Sequence, residues 1–151
     1  MIIENIKAFF IRDLNKLKAE IEQYQSEDAL WLIEKSIPNP AGNLCLHLVG
    51  NLNAYIGVGL AKTNYVRQRP LEFSLKNIPR SHLLQMVEDT IPVVEQGFNN
   101  LTDADLSANF PFVIWDEPTY MSYTLIRLLS HLNYHLGQIN YHRRLLDASE
   151  D

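Results

Sequence analysis

Four segments of this chain place apolar residues three or four positions apart, and no stretch alternates apolar and polar residues as a strand does. The segments cover residues 2–24, about 40–61, about 79–101 and about 118–146. A repeat of this kind is typical of helices that bury one face. We therefore predict an all-α fold, a four-helix bundle.

The breaks between these segments set the predicted helix ends. Residues 36–40 hold two prolines and cannot continue a helix, but Asn39 and Pro40 are suited to begin one. A short helical turn is expected at 28–31. The connection over 62–79 is long, charged and without a sustained repeat, so it should let the second and third helices run in parallel. Pro92 should kink the third helix.

Length and charge limit the classes of protein that the chain can represent. Its 151 residues fit one domain, 1–151, and its net charge of −5 argues against a nucleic-acid partner. Cys45 is the single cysteine, and we expect it to be buried and free. No segment has the apolar run of a signal peptide or a membrane span, so we expect a cytoplasmic protein without a membrane partner.

Histidines carry the main chemical signal. His131 and His135 are four residues apart in the fourth helix, so both imidazoles can reach one metal ion. His47, among apolar residues of the second helix, is the third candidate ligand, although it could equally be a core histidine bonded to a carbonyl or carboxylate. Because Leu132 follows His131, the metalloprotease motif H-E-x-x-H is absent.

The remaining polar residues near these ligands have several readings. His142 lies two turns beyond His135, too far to share an ion, and is assigned to a cavity rim or to packing. His82 is expected at the surface. Gln138, Asn51 and Asn43 lie one turn from a ligand candidate and could orient the imidazoles, or could be ordinary surface residues.

Two motifs give the sequence a family resemblance. N-P-A-G-N-L-C-L-H-L-V-G-N-L at residues 39–52 and H-L-N-Y-H-L-G-Q-I-N-Y-H-R-R at residues 131–144 resemble the DinB superfamily, the DinB/YfiT-like metalloenzymes. The resemblance covers nearly the whole chain. It implies a four-helix bundle, often a homodimer, in which His47, His131 and His135 bind one divalent metal.

The resemblance leaves the reaction open. Some members resemble thiol-dependent S-transferases, others isomerases or hydrolases. We expect zinc or nickel, or else iron, activating water or a low-molecular-weight thiol against a small electrophile. A general base, if the reaction needs one, would come from Glu72, Asp116 or Glu117, and Arg67 and Arg69 could select the substrate. The alternatives are a non-catalytic metal-binding or stress protein, and a structural bundle with incidental histidines.

Overall fold

A computed structural model describes residues 1–147, and this part of the chain is helical without a strand. Two isolated bridges, Glu34 with Ile37 and Asn109 with Tyr120, are its only β-type pairs. The helices are α1 (Ile2–Gln23), α2 (Ala41–Leu52), α3 (Arg69–Ser74), α4 (Arg80–Asn99) and α5 (Met121–Leu146). Short 3-10 turns cover Asp28–Trp31 and Asp103–Ser107. The all-α prediction is confirmed.

The amphipathic period of α1 directs one stripe of side chains into the core. Its buried apolar residues follow helical spacing: Ile3, Ile6, Phe10, Leu14, Leu17 and Ile21. Ile2 and Phe9, which are also apolar, are exposed instead. Each lies one position before a buried residue, about 100° round the helix, so Ile3 and Phe10 occupy the core in their place.

All twelve residues of α2 are buried, which agrees with its nearly continuous apolar sequence. The helix then widens into a π-helical segment, Asn53–Val58, before the chain turns at residue 61. The Asn53 amide explains part of this change, because it donates to the Val49 carbonyl and to Thr90 Oγ1 at 2.8 and 2.9 Å. π-Helical turns are frequently found at functional sites.

Contacts between helices give their relative directions. The Asn53 side chain donates to Thr90 Oγ1, and seven residues after Asn53 the Leu60 carbonyl accepts from Asn100, which follows Thr90. α2 and α4 therefore run in parallel, which confirms the role predicted for the 62–79 connection. α1 and α5 are also parallel, since Asp13 accepts from Asn133 and Glu20 from Asn140. α1 and α4 are antiparallel, with Lys7 bonded to Asn99 and Lys18 to Glu88.

Two details differ from the predicted elements. The 62–79 connection holds α3, a helix that was not predicted; Pro70 lies in its first turn, where a missing N–H costs nothing. Pro92 lies inside α4, as predicted. α5 begins at Met121 rather than near 118, because the chain first pairs in an extended form, with Phe110 N–H bonded to the Thr119 carbonyl at 2.8 Å.

No helix in residues 1–147 combines the length and the apolar character needed to cross a membrane.

Candidate metal centre

α2 and α5 bring the three predicted ligand histidines to one point. His47 projects from α2, and His131 and His135 project from successive turns of α5. The distance between Nε2 atoms is 3.0 Å from His47 to His131 and 3.1 Å from His131 to His135. Each residue offers a ligand nitrogen, and these three atoms lie within 4.8 Å of one another. The sequence-predicted group is thus assembled in the fold.

The outer nitrogens of two rings are engaged away from this point. His47 Nδ1 lies 2.9 Å from Glu72 Oε1, and His135 Nδ1 lies 2.7 Å from Gln138 Oε1. Both oxygens can only accept, so each Nδ1 carries the hydrogen. In the neutral rings, Nε2 of His47 and His135 therefore presents a lone pair to the centre.

This arrangement fits a cation. His131 Nε2 lies between two acceptor nitrogens and has at most one hydrogen to offer them. Its other nitrogen, Nδ1, is buried without a hydrogen-bond partner in the described part of the chain. An ion bound at the convergence point would use all three lone pairs at once, and imidazole nitrogen suits zinc, nickel, iron and copper. The residues that could hold it are His47, His131 and His135.

Glu72 is the carboxylate that orients His47. Its side chain is buried on α3 and also accepts from Arg67, with Nε 2.9 Å from Oε2 and Nη2 3.0 Å from Oε1. Burial alone would raise the pKa of Glu72, but the hydrogen bonds from His47 and Arg67 outweigh it and hold the pKa below its usual range. Glu72 is therefore ionised at neutral pH and fixes the His47 tautomer.

Two residues of α2 make room for α3 and hold it. A Cβ atom on Gly50 would overlap the Glu72 carboxylate, so only glycine permits this approach. The Asn43 amide donates to the carbonyls of Glu72 and Leu75 at 2.9 and 2.8 Å, and its oxygen accepts from Lys76. Asn43, predicted as a partner of an imidazole, acts instead one step further out, through the backbone that carries Glu72.

Burial also keeps the α5 ligands neutral. It lowers the pKa of His131 to about 4, with further lowering from the charges of His135, His47, Arg67 and Arg69. Burial likewise lowers the pKa of His135, against the hydrogen bond with Gln138 that raises it. The imidazoles of His131 and His135 are therefore unprotonated at neutral pH, the form that a metal requires.

The other residues singled out from the sequence differ in their burial and hydrogen bonds. Gln138 is bonded to His135, as predicted. Asn51 is buried but forms no hydrogen bond with the three histidines in the described residues. His82 is exposed, as expected. Cys45 is buried and free, and burial raises the pKa of its thiol to about 12.

His142 has a packing role. Its Nε2 donates to the Leu32 carbonyl at 2.9 Å, which leaves Nδ1 to accept from the Tyr24 hydroxyl at 2.6 Å. Both nitrogens are satisfied, and the residue is 2% exposed. Both predicted roles, packing and a cavity rim, agree with its place in the structure. His142 is buried in the core, and it also lines a surface pocket with Gln138 and Tyr141.

A cavity of about 220 Å³ opens beside His47 and His131. Sequence reasoning had named Arg67 and Arg69 as substrate-selecting candidates, and both line this cavity. It did not find Tyr55, Trp115 or Arg127, which come from the π-helical segment, the 102–120 connection and α5. No local pattern links these positions, which the tertiary fold alone brings together. The other lining residues are Asn51 and Leu128.

The three candidate bases occupy different places. Both oxygens of Glu72 are bonded to Arg67, and one also to His47. Asp116 and Glu117 line a neighbouring pocket that shares Trp115 and Arg127 with the cavity. Neither of them is bonded to a candidate ligand within residues 1–147.

One family model matches nearly the whole chain. Residues 3–150 match the model of the family described as "Protein of unknown function (DUF1572)". The chain belongs to the DUF1572 family. Its match spans both histidine-bearing helices, so the candidate centre lies within the DUF1572 region. No curated protein matches the chain.

Proposed function

We propose that this DUF1572 protein is a metal-dependent enzyme in which His47, His131 and His135 bind one divalent transition metal. The observation that carries the proposal is the convergence of three Nε2 atoms while the Nδ1 atoms of His47 and His135 donate to oxygen. Zinc or nickel is the proposed ion, with iron the next choice, because these ions accept imidazole ligands. Three protein ligands would leave a position open, as in catalytic sites.

The bound ion would supply Lewis-acid chemistry, lowering the pKa of a coordinated water or thiol. The chain's own residues prepare the site for it. Glu72 and Gln138 hold the rings of His47 and His135 in one orientation. The adjacent cavity gives a small molecule access to His47 and His131. Both oxygens of Glu72 accept from the Arg67 guanidinium and one also accepts from His47, which suits the carboxylate to orientation rather than to proton transfer.

For the reaction, we propose an S-transferase or hydrolase acting on a small electrophile, with a low-molecular-weight thiol as cosubstrate in the transferase case. The support is the resemblance of the two histidine motifs to the DinB superfamily, to which we assign this DUF1572 chain. A cavity of about 220 Å³ suits a small substrate, since drug-sized ligands occupy about 300–1,000 Å³.

We further propose that α1, α2, α4 and α5 form one four-helix-bundle domain of the DinB/YfiT-like type, that the protein is cytoplasmic, and that it assembles as a homodimer. The paired directions of the four long helices support the bundle. Exposed apolar side chains support a dimer, and α5 carries several of them: Tyr123, Ile126, Tyr134 and Tyr141. Sedimentation equilibrium would measure the oligomeric state.

The test begins with the metal content of protein purified without a histidine tag, measured by element-resolved mass spectrometry. We expect about one zinc, nickel or iron per chain. The loaded protein is then screened for conjugation of low-molecular-weight thiols to aromatic halides and for hydrolysis of thiol conjugates. Less than a tenth of an equivalent of any transition metal, even after incubation with each ion, would refute the proposal. One bound metal without turnover would favour the non-catalytic metal-binding alternative.

A further inference from the structure

The cavity beside the candidate metal centre is strongly cationic in a chain of net charge −5. Three arginines line it: Arg67, Arg69 and Arg127. One of them, Arg67, forms an ion pair with the Glu72 carboxylate, which does not line the cavity. A bound divalent cation at the histidines would add to this positive charge. An anion is the ligand that such a concave positive site attracts.

Arg67 is committed to Glu72, but the other two arginines are not. Within residues 1–147, neither Arg69 nor Arg127 lies within 4.0 Å of a carboxylate. Asp116 and Glu117 line the neighbouring pocket with Arg127, yet form no ion pair with it there. The cavity therefore holds two guanidinium groups without a protein counter-ion.

Aromatic rings lie beside both guanidinium groups. The Cζ atom of Arg127 is 3.8 Å from the centroid of the Trp115 ring, a stacking distance, and that of Arg69 is 5.4 Å from the centroid of Phe73, a looser cation–π contact. Stacking fixes the plane of a guanidinium without consuming its N–H donors. Arg127 uses one of its five donors, in a bond of 3.3 Å to the Tyr123 hydroxyl. The remaining donors match the geometry of an oxyanion.

A third polar group completes the lining. Asn51 is 7% exposed, and its side-chain oxygen has no hydrogen-bond partner among the described residues. This oxygen is an acceptor, so a hydroxyl or N–H of the bound molecule, and not its oxyanion, would satisfy it. Asn51 lies on α2 one turn after His47, so its amide can contact a molecule that also reaches the metal centre.

We propose that Arg69 and Arg127 bind an oxyanion, a carboxylate or a phosphate, carried by the small molecule on which the metal centre acts. This inference rests on the proposed function, because it assigns the anion to that substrate. The anion would hold the molecule in the cavity while its reactive group faces His47 and His131. Neutral analogues of the same size would bind weakly.

The experiment separates anion binding from metal binding. His131→Ala protein, which we expect to lack the metal, is titrated with succinate, with inorganic phosphate and with succinamide, the neutral analogue of succinate. Tryptophan fluorescence reports binding, because Trp115 lies under Arg127. We expect saturable binding of succinate or phosphate and none of succinamide. The tighter of the two oxyanions identifies the preferred group.

Matched variants in the same background locate the site. Arg127→Gln and Arg69→Gln should each weaken oxyanion binding about tenfold or more, since a charged hydrogen-bonding partner is removed. Arg144→Gln is the control: Arg144 is also on α5 and also stacks on an aromatic ring, Tyr141 at 5.1 Å, but it lies outside the cavity. Its binding should equal that of the parent protein.

Equal oxyanion binding by the parent and by both cavity variants would overturn the inference, as would succinamide binding as tight as succinate. Calorimetric titration of phosphate is the second measurement, and it detects binding even if the tryptophan fluorescence does not change. No heat of binding would also overturn the inference. The proposed function is judged separately, by the metal content of the wild-type protein. Oxyanion binding without any wild-type metal would refute the metal enzyme and retain the anion site.

Discussion

Helix α5 buries histidines at two places with opposite hydrogen-bonding states. At His142, both ring nitrogens have protein partners, the Tyr24 hydroxyl and the Leu32 carbonyl. At His135 and His131, about two and three turns earlier, the Nε2 atoms face each other and His47, and His131 Nδ1 has no partner in the described residues. Burial lowers the pKa in all three residues of α5, so the pKa does not separate the two places.

The difference lies in whether the protein satisfies the imidazole by itself. A histidine whose two ring nitrogens are both hydrogen-bonded, such as His142, contributes to packing, and its removal lowers the free energy of unfolding. Converging lone pairs are unfavourable in the folded chain unless a cation binds, which is why we propose a ligand at the histidine centre and a packing role at His142. Variants that change one of the two places at a time test this separation.

His131→Ala should abolish stoichiometric metal binding, because His131 lies between the other two ligands. The free energy of unfolding of the metal-free protein should change by less than about 1 kcal/mol, since the large apolar core does not depend on this residue. Metal content after dialysis and urea unfolding with a chelator measure the two effects. His82→Ala is the control and should match wild type in both. Wild-type metal affinity in His131→Ala would refute the assigned ligands.

His142→Ala should do the reverse. It removes the hydrogen-bond partner of the Leu32 carbonyl, leaves the buried Tyr24 hydroxyl with only a long bond of 3.5 Å to the Ile139 carbonyl, and creates a cavity. The free energy of unfolding should therefore fall by about 3 kcal/mol. Metal content should stay at one equivalent. Urea unfolding of the metal-free protein measures the first effect. A loss of metal with unchanged stability would show that the two places had been assigned the wrong roles.

Glu72→Gln sharpens the comparison within the metal centre. The amide can still accept from His47, but it loses the ion pair with Arg67 and the charge that strengthens the ligand. Metal affinity should fall about 10–100-fold, the usual effect of changing a group that orients a ligand. Competition with a chromophoric chelator measures it. Glu88→Gln, which removes the exposed partner of Lys18, should leave the affinity unchanged.

The smallest effect concerns pH at His142. Burial lowers its pKa, against the Leu32 carbonyl and the charge of Asp147, which raise it. The unfolded chain, with a histidine pKa near ~6.5, therefore binds the proton first as the pH falls. The stabilisation by His142 is present above about pH 6.5 and is lost below it, by less than about 1.4 kcal/mol per pH unit.

Urea unfolding of metal-free wild type and His142→Ala at pH 7.5 and 5.5 measures this loss. The difference in unfolding free energy between the two proteins should be smaller at pH 5.5. Only in wild type does the unfolded chain gain a proton at residue 142, and this gain favours unfolding. The charged neighbours Glu20, Arg143 and Asp147 and the hydroxyl of Tyr24 are the same in both proteins and cancel in the difference. A constant difference across this range would contradict the prediction.

The sequence predicted the long helices because their stability comes from a periodic apolar face that local spacing records. The same spacing identified the i, i+4 pair His131 and His135. It gave no reason to pair His47 with Glu72 rather than with a carbonyl, because that contact spans 25 residues and depends on how α3 docks. α3 itself is six residues long and was missed for the same reason.

The cavity was the least predictable part. Tyr55, Trp115 and Arg127 share no motif and come from three separated segments. Arg127 in particular looks like an ordinary polar residue of α5, and only the stacked Trp115 from the 102–120 connection gives it a position. Such residues follow from tertiary packing, which periodicity does not encode.

The π-helical segment Asn53–Val58 fits one more residue into its turns than an α-helix would, and this surplus has a consequence for the tolerance of α2 to deletion. Most helices lose their registration when one residue is removed, since everything beyond turns by about 100°. Here a one-residue deletion would relax the segment to an ordinary α-helix. The deletion would, however, rotate Tyr55 relative to His47, which lies about one and a half turns before the segment begins. It would thereby disturb the hydrogen bond of 3.3 Å from Arg67 Nη1 to the Tyr55 hydroxyl. The extra residue therefore acts as a spacer between the helix register that places His47 and the register that places Tyr55 in the cavity wall.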